Sequence, residues 1–143
     1  MIFDLEATGK VDWIWNAAKR VVFAKFSAHG ELVLTASWDK TIKIWSATTG
    51  ECLHTLAGHS DGVISAVFSA DGALVLTISS NTAKVWEATT GQCTQTLTGH
   101  DKLVNSAMFS ADGFSVRTAS DDTTARIWDA RTGKCTQTLV GHP

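Results

Sequence analysis

The chain repeats itself at intervals of 41 and 42 residues, and this period constrains the fold more than any other feature. The dipeptide Gly-His recurs at 58–59, 99–100 and 141–142. Tryptophan keeps the same intervals, at Trp45, Trp86 and Trp128. The segment Phe-Ser-Ala-His-Gly at 26–30 returns as Phe-Ser-Ala-Asp-Gly at 68–72 and 109–113. One supersecondary unit is therefore built several times along the chain.

Each unit divides into four short runs rich in Val, Ile, Leu, Phe and Thr, which are typical of β-strands. In the second unit we predict strands at Val63–Phe68, Ala73–Ile78, Thr82–Trp86 and Gln92–Leu97. Turn residues such as Asp71-Gly72 and Thr90-Gly91 separate them and supply the permissive backbone that tight connections need. No segment has the pattern of a long helix, so the fold class is all-β.

A period of about 40–45 residues with Gly-His and Trp-Asp-like marks is typical of the four-stranded antiparallel blades of a β-propeller. The sequence predicts three complete blades, at 20–58, 61–99 and 102–141. Residues 1–19 fit the third and fourth strands of a partial leading blade, and 142–143 begin a further repeat. A propeller ring takes about 4–8 blades. We therefore expect that this chain alone does not close the ring.

The repeat resembles the WD-repeat family over nearly the whole chain. In that family a His, a Ser/Thr, an Asp and a Trp form a hydrogen-bonded structural tetrad that holds the parts of a blade together. The resemblance implies a full tetrad in the third blade, with His100, Thr118, Asp122 and Trp128. The first blade has Thr35, Asp39 and Trp45, with Ala17 at the His position. The second has His59, Thr77 and Trp86, but Ser80-Asn81 replaces the segment that would hold the Asp.

A His, an Asp and a hydroxyl side chain also invite comparison with a hydrolase triad. The set recurs with each repeat, lacks a Gly-x-Ser-x-Gly nucleophile motif and is incomplete in two of the three repeats. Catalytic sites are usually single constellations in one cleft. The sequence therefore favours the structural role, and we predict no catalytic residue and no enzymatic activity.

Composition argues against several other classes of site. Twelve basic residues are scattered among fourteen acidic ones, so we expect no direct nucleic-acid binding. The acidic N-terminus does not have the pattern of a signal peptide, and no apolar run is long enough for a membrane span. Three cysteines without a signal peptide suggest a reducing compartment. We expect a protein without membrane insertion, located in the cytoplasm or in another intracellular complex.

The cysteines and histidines predict neither a metal site nor a cofactor. Cys52, Cys93 and Cys135 stand one per repeat at the same position of the fourth strand, too far apart for a disulfide. They lack the paired spacing of zinc ligands, and we expect them to be small buried apolar residues. Three of the five histidines belong to Gly-His pairs, and the other two are isolated.

In the WD-repeat family, partners most often bind the face formed by the turn after the second strand and by the link between blades. The resemblance places these candidate protein-binding residues there: Lys19, Arg20, Trp38, Asp61, Lys102 and Asp121. Trp38 is either an interface anchor or a cover for the neighbouring blade. Arg117 occupies a second-strand position that holds Leu34 and Leu76 in the other repeats, so its charge either reaches the surface or pairs with a carboxylate of a partner.

An open array of blades exposes apolar faces at its ends. Further blades of a longer propeller, other subunits of an assembly or a second copy could cover them, and we favour the first two. Other proteins are thus the expected partners. The leading functional hypothesis is a protein–protein interaction scaffold, a subunit or fragment within a larger multiprotein complex. The alternatives are the regulatory or targeting region of a longer enzyme and a peptide-reader module.

Overall fold

A computed structural model describes residues 21–37 and 40–141, in which twelve β-strands form three sheets and no helix occurs. Sheet 1 contains β1 (Val21–Phe26), β2 (Leu32–Ser37), β3 (Ile42–Ser46) and β4 (Cys52–Leu56). Sheet 2 contains β5 (Ser65–Phe68), β6 (Leu74–Ser79), β7 (Thr82–Glu87) and β8 (Cys93–Leu97). Sheet 3 contains β9 (Val104–Phe109), β10 (Ser115–Ser120), β11 (Thr124–Asp129) and β12 (Cys135–Val140).

Each sheet is an antiparallel meander in which the strands lie in chain order. The first and fourth strands are therefore the edges of every sheet. The three sheets do not close into a ring, and the all-β propeller fold expected from the sequence is confirmed. In the second unit the observed strands begin and end within two residues of the predicted ones.

Two apolar cores join the three sheets. The core between sheets 1 and 2 contains fully buried residues of sheet 1, such as Leu34 and Ile44, packed with Val75 and Trp86 of sheet 2. The core between sheets 2 and 3 repeats this arrangement with Leu76, Ile78, Ala83, Val85 and Leu97 of sheet 2 and with Val104, Ala107, Val116, Trp128 and Ala130 of sheet 3. Each inner sheet face is thus apolar because the next sheet covers it.

The strand register defines the face of each sheet that points toward the following one. In sheet 2, Leu76 lies opposite both Val67 and Val85, and Val85 lies opposite Gln95. Residues directly opposite each other in an antiparallel pair point to the same side of the sheet. In sheet 3 the same register defines what we call the open face, formed by Ser106, Met108, Arg117, Ala119, Ala125, Ile127, Gln137 and Leu139.

Side chains on the fourth strands also connect neighbouring sheets. Gln95 of β8 donates a hydrogen bond through Nε2 to the backbone carbonyl of Arg131, in the turn between β11 and β12. His54 of β4 lies against Gly91 in the equivalent turn of sheet 2, where a Cβ atom would come within 3.1 Å of the imidazole. Gly91 has a φ of +76°. Glycine is favoured there by both the backbone conformation and the close approach.

The cysteine thiols are free, but the expectation that all three are buried is wrong. Cys52 is exposed, while Cys93 and Cys135 are half-buried and pack against the two cores. The reason is their position on β4, β8 and β12, which are edge strands of their sheets. In the part of the chain that the structure describes, no helix has the length and apolar character of a membrane span.

Candidate functional site

The third repeat brings His100, Thr118, Asp122 and Trp128 into one hydrogen-bonded group. His100 Nδ1 lies 2.8 Å from Asp122 Oδ2, and His100 Nε2 lies 2.7 Å from Thr118 Oγ1. Trp128 donates its indole N–H to the same Thr118 oxygen at 2.8 Å. The group connects the segment before β9 with β10, the β10–β11 turn and β11. It therefore links three of the four strands' ends in the sheet.

Hydrogen bonds hold the Asp122 carboxylate in its charged form. Burial by itself would raise its pKa, but the hydroxyl of Thr124, the imidazole of His100 and the backbone N–H groups of Thr124 and Asp101 more than offset it. The pKa of Asp122 consequently lies well below its ordinary value. An ionised Asp122 accepts the Nδ1 proton of His100, so Nε2 of a neutral imidazole accepts the Thr118 hydroxyl proton.

This geometry differs from that of a nucleophilic triad in one decisive respect. The Thr118 oxygen already accepts the Trp128 N–H while its proton is held by His100. Thr118 and Trp128 are each 2% exposed, and His100 is 4% exposed. A nucleophile needs space for the substrate atom beside its oxygen. The arrangement is suited to fixing strands relative to one another, and no substrate can approach this hydroxyl.

The second repeat has a shorter form of this group. His59 Nε2 lies 2.6 Å from Thr77 Oγ1, which also accepts the indole N–H of Trp86 at 2.9 Å. Ser79 and Thr82 pair directly across the short turn, so no aspartate occupies the position of Asp122. Burial, and then the charge of Lys84, lower the pKa of His59 from 6.5 to about 4. His59 is therefore neutral at physiological pH.

His59 predicts a pH dependence of stability. Because its folded-state pKa is lowered, the unfolded chain takes up the proton first as the pH falls from 6.5 toward 4. Stability is therefore fully present above pH 6.5 and is lost within this window. We expect a loss of about 1 kcal/mol in the free energy of unfolding at about pH 5, after allowance for screening by solvent. Chemical denaturation at neutral and acidic pH measures it.

The His59→Gln variant should lose most of this pH dependence, because glutamine can still donate to Thr77 but does not titrate in this range. His29→Gln is the matched control, since His29 is exposed in a turn of sheet 1. A pH dependence that survives in His59→Gln and disappears in His29→Gln would contradict the prediction.

In the first repeat the structure places Trp45 Nε1 2.8 Å from Thr35 Oγ1, as in the other two repeats. Asp39 and Ala17 lie outside the described residues. So do the candidate binding residues Lys19, Arg20 and Trp38, as well as the predicted partial blade at 1–19.

Asp61, Lys102 and Asp121 are all exposed and lie near the ends of β6 and β10. The backbone carbonyl of Asp61 accepts the hydroxyl of Ser79, and that of Lys102 accepts the hydroxyl of Ser120. Asp121 accepts a hydrogen bond from the Asn105 side chain at 2.6 Å. This end of sheets 2 and 3, which we call the tetrad end, also exposes two large apolar side chains, Ile64 at 53% and Leu103 at 51%.

Sequence reasoning missed Ser79 and Ser120, which support the loops of the tetrad end. The signal was present, because the same position holds serine in all three repeats, at Ser37, Ser79 and Ser120. It also missed the exposure of Ile64 and Leu103. Neither position repeats an apolar residue in the third and second unit respectively, where Asn105 and Gly62 stand, so the period provides no signal for them.

The open face of sheet 3 is the largest departure from the internal repetition. Leu56 and Leu97 occupy equivalent positions on β4 and β8 and are 0% and 2% exposed, whereas Leu139 on β12 is 50% exposed. Met108 is 56% exposed, and Arg117 is also exposed. A groove of about 420 Å³ lies beside Leu139 and is lined by Ala119, Ser120, Thr123, Thr124, Ala125, Leu139, Val140 and Gly141.

Metal-binding groups were searched among the same residues. Within 21–37 and 40–141, no three His, Cys, Asp or Glu side chains come together as ligands for a metal ion.

The fold and the repeated hydrogen-bonded group agree with comparisons to known proteins. The family described as "WD domain, G-beta repeat" matches residues 9–46, 50–87 and 91–129. These matches cover most of the chain, and the chain belongs to the WD-repeat family. Repeats of this family generally mediate protein–protein interactions and are generally non-catalytic.

Similar proteins carry the same repeats. A stretch of 63 residues is 43% identical to nuclear distribution protein PAC1 of Mycosarcoma maydis, covering 44% of this chain and 13% of that protein. A stretch of 51 residues is 41% identical to an uncharacterized WD repeat-containing protein of Schizosaccharomyces pombe, covering 36% and 14%. Nuclear distribution protein PAC1 of Coccidioides posadasii is 46% identical over 48 residues, covering 34% and 10%. The chain thus matches only a small part of the length of these relatives.

Proposed function

We propose that this chain is a scaffold of a multiprotein assembly that binds another protein through the open face of sheet 3. The observation that carries the proposal is the exposure of Leu139 at 50%, against 0% and 2% for the equivalent Leu56 and Leu97. An apolar sheet face left in water loses the free energy that burial provides, about 25 cal/mol per Å². Exposed apolar faces of this kind mark sites of protein–protein interaction.

The groove beside Leu139 supports the same surface. Its lining is formed mostly by small and apolar side chains of β10, β11 and β12. On sheets 1 and 2 the corresponding rows of residues are buried under a neighbouring sheet. A β-sheet with apolar residues in this register therefore fits the open face, and the contact extends an interface that the chain already builds twice.

Leu139→Glu should abolish binding of a partner to this face without unfolding the chain, because half of the side chain is already in water. Proteins co-purifying with the tagged wild-type chain are identified, and the complex is reconstituted from purified components. We expect the Leu139→Glu variant to weaken binding at least about a hundredfold, since a buried carboxylate without a partner costs several kcal/mol.

Lys134→Glu is the matched control, because Lys134 is exposed and lies in the turn before β12, away from the open face. Circular dichroism verifies that both variants fold. A reconstituted complex that tolerates Leu139→Glu as well as Lys134→Glu would refute the open face as the binding surface.

The tetrad end supports a second candidate, a peptide-reader function. Ile64 and Leu103 are exposed there beside Asp61, Lys102 and Asp121, so apolar and charged groups stand together in reach of a peptide. The reconstituted complex distinguishes the candidates, because Leu103→Glu would weaken peptide binding at the tetrad end while Leu139→Glu would leave it unchanged.

We propose further that the chain itself performs no catalysis. Support comes from the buried Thr118 hydroxyl, which has a partner for its proton and another for its oxygen. The intracellular location stays a prediction, and the free thiols of Cys52, Cys93 and Cys135 favour a reducing compartment. A regulatory region of a longer enzyme would use the same surfaces, and the reconstituted partners decide between the two.

A further inference from the structure

Internal repetition shows what kind of element covers the open face of sheet 3. The same rows on sheets 1 and 2 lie under the next sheet, whose contacting side chains are small apolar residues and a tryptophan. Gln137 occupies the position of Gln95, which donates to a backbone carbonyl in the turn of the following sheet. The side chain of Gln137 is exposed. The open face is therefore shaped for a further β-blade with a turn carbonyl near Gln137.

Arg117 is the one charged residue on this face. The equivalent Leu34 and Leu76 are 0% and 1% exposed and sit in the two cores. Arg117 lies opposite Met108 and Ile127 in the sheet, and its guanidinium approaches the Met108 sulfur at 3.7 Å. None of the eight residues of the open face is acidic. A blade that covered this face would bury a guanidinium for which the face itself provides no carboxylate.

A burial of this kind selects the partner by charge. An unpaired buried charge costs several kcal/mol, whereas a carboxylate placed against a guanidinium forms two parallel hydrogen bonds. A blade like those inside this chain, with only apolar side chains at the contact, would leave the guanidinium unpaired.

A second copy fits no better than such an apolar blade. Two open faces packed together by two-fold symmetry would bring two guanidinium groups toward each other. In a head-to-tail contact, the other face of sheet 1 would have to accept the partner, and Val33, Trp45 and Ala47 are already buried there.

We propose that the open face of sheet 3 binds a WD-type blade that carries a carboxylate opposite Arg117, and that Arg117 thereby excludes wholly apolar blades and a second copy. The proposal rests on the proposed scaffold function and specifies the chemistry of its partner. Specificity of this form arises from a residue that penalises the wrong partners as well as from the apolar surface that attracts all of them.

The Arg117→Glu variant of this chain serves as the probe, because it presents the same apolar face with a carboxylate in place of the guanidinium. In an equimolar mixture with the wild-type chain, Arg117 of one copy can pair with the introduced carboxylate of the other. We expect the mixture to form a 1:1 heterodimer, at least about tenfold tighter than either protein with itself, by light scattering after size exclusion. Raising the salt from about 50 mM to 0.5 M should weaken it.

Two controls locate the effect. Arg131→Glu reverses a charge that lies over the Phe114 ring, away from the open face, and should form no heterodimer with the wild-type chain. Adding Leu139→Glu to the Arg117→Glu probe should abolish the heterodimer by removing the shared apolar contact.

Wild-type and Arg117→Glu proteins that fail to pair, with both folded by circular dichroism, would overturn the charge selection. A wild-type chain that dimerises through Leu139 as tightly as the mixture would identify a second copy as the occupant and would overturn it too. In both cases the scaffold function is judged separately by the reconstituted complex and its Leu139→Glu variant.

Discussion

Replacing Thr118 by valine is expected to lower the free energy of unfolding by about 3 kcal/mol, the largest effect of any single isosteric change in this chain. Valine keeps the shape of threonine but removes the hydroxyl that joins His100 to Trp128. Both partners stay buried, at 4% and 2% exposure, so each loses its hydrogen bond without gaining one to water. Each unsatisfied group costs about 1–3 kcal/mol. Urea denaturation followed by tryptophan fluorescence measures the loss.

Thr118→Ser is the matched control, because serine restores the hydroxyl and lacks only a methyl group. It should cost about 1 kcal/mol. If Thr118→Val were as stable as Thr118→Ser, the hydrogen-bonded group would not hold the third sheet together, and the structural role of the tetrad would be wrong.

Leu97→Ala is expected to cost about 3 kcal/mol, and Leu139→Ala less than about 1 kcal/mol. The two leucines occupy the same position of their repeats, on β8 and β12. Leu97 is 2% exposed in the core between sheets 2 and 3, so truncation leaves a cavity there. Leu139 is 50% exposed, so truncation removes a side chain that is already half in water. Urea denaturation of the purified chain compares both variants under the same conditions.

Equal losses for the two variants would contradict the description of the open face. They would mean that something buries Leu139 in solution as completely as sheet 3 buries Leu97. Measurement at several protein concentrations distinguishes this case, because cover by a second copy makes the cost depend on concentration.

Much of the fold was predictable because the local signals agree in every repeat. Alternating apolar residues, Asp-Gly and Thr-Gly turns and a tryptophan on the third strand define the same four-stranded unit each time. His100, Thr118, Asp122 and Trp128 were found from their spacing within the repeat, and the structure places them within hydrogen-bond distance of one another. The missing aspartate of the second repeat was visible as a turn one residue shorter.

The state of each residue's surroundings was not predictable in the same way. Cys52, Cys93 and Cys135 have equivalent positions, yet Cys52 is exposed and the other two are half-buried. The contact of Gln95 with the Arg131 carbonyl joins residues 36 positions apart in different sheets. A pattern within one repeat contains no information about which neighbouring sheet is present, so such contacts need the tertiary structure.

The sequence by itself determined the repeating unit, its strands and the residues able to form the tetrad, because these depend on backbone preferences and on spacing along the chain. Only the tertiary structure decided which apolar faces are covered. Leu56, Leu97 and Leu139 are the same residue at the same place in the repeat, and they are 0%, 2% and 50% exposed. Burial is a property of the residue and of what packs against it, and the second of these lies outside the repeat.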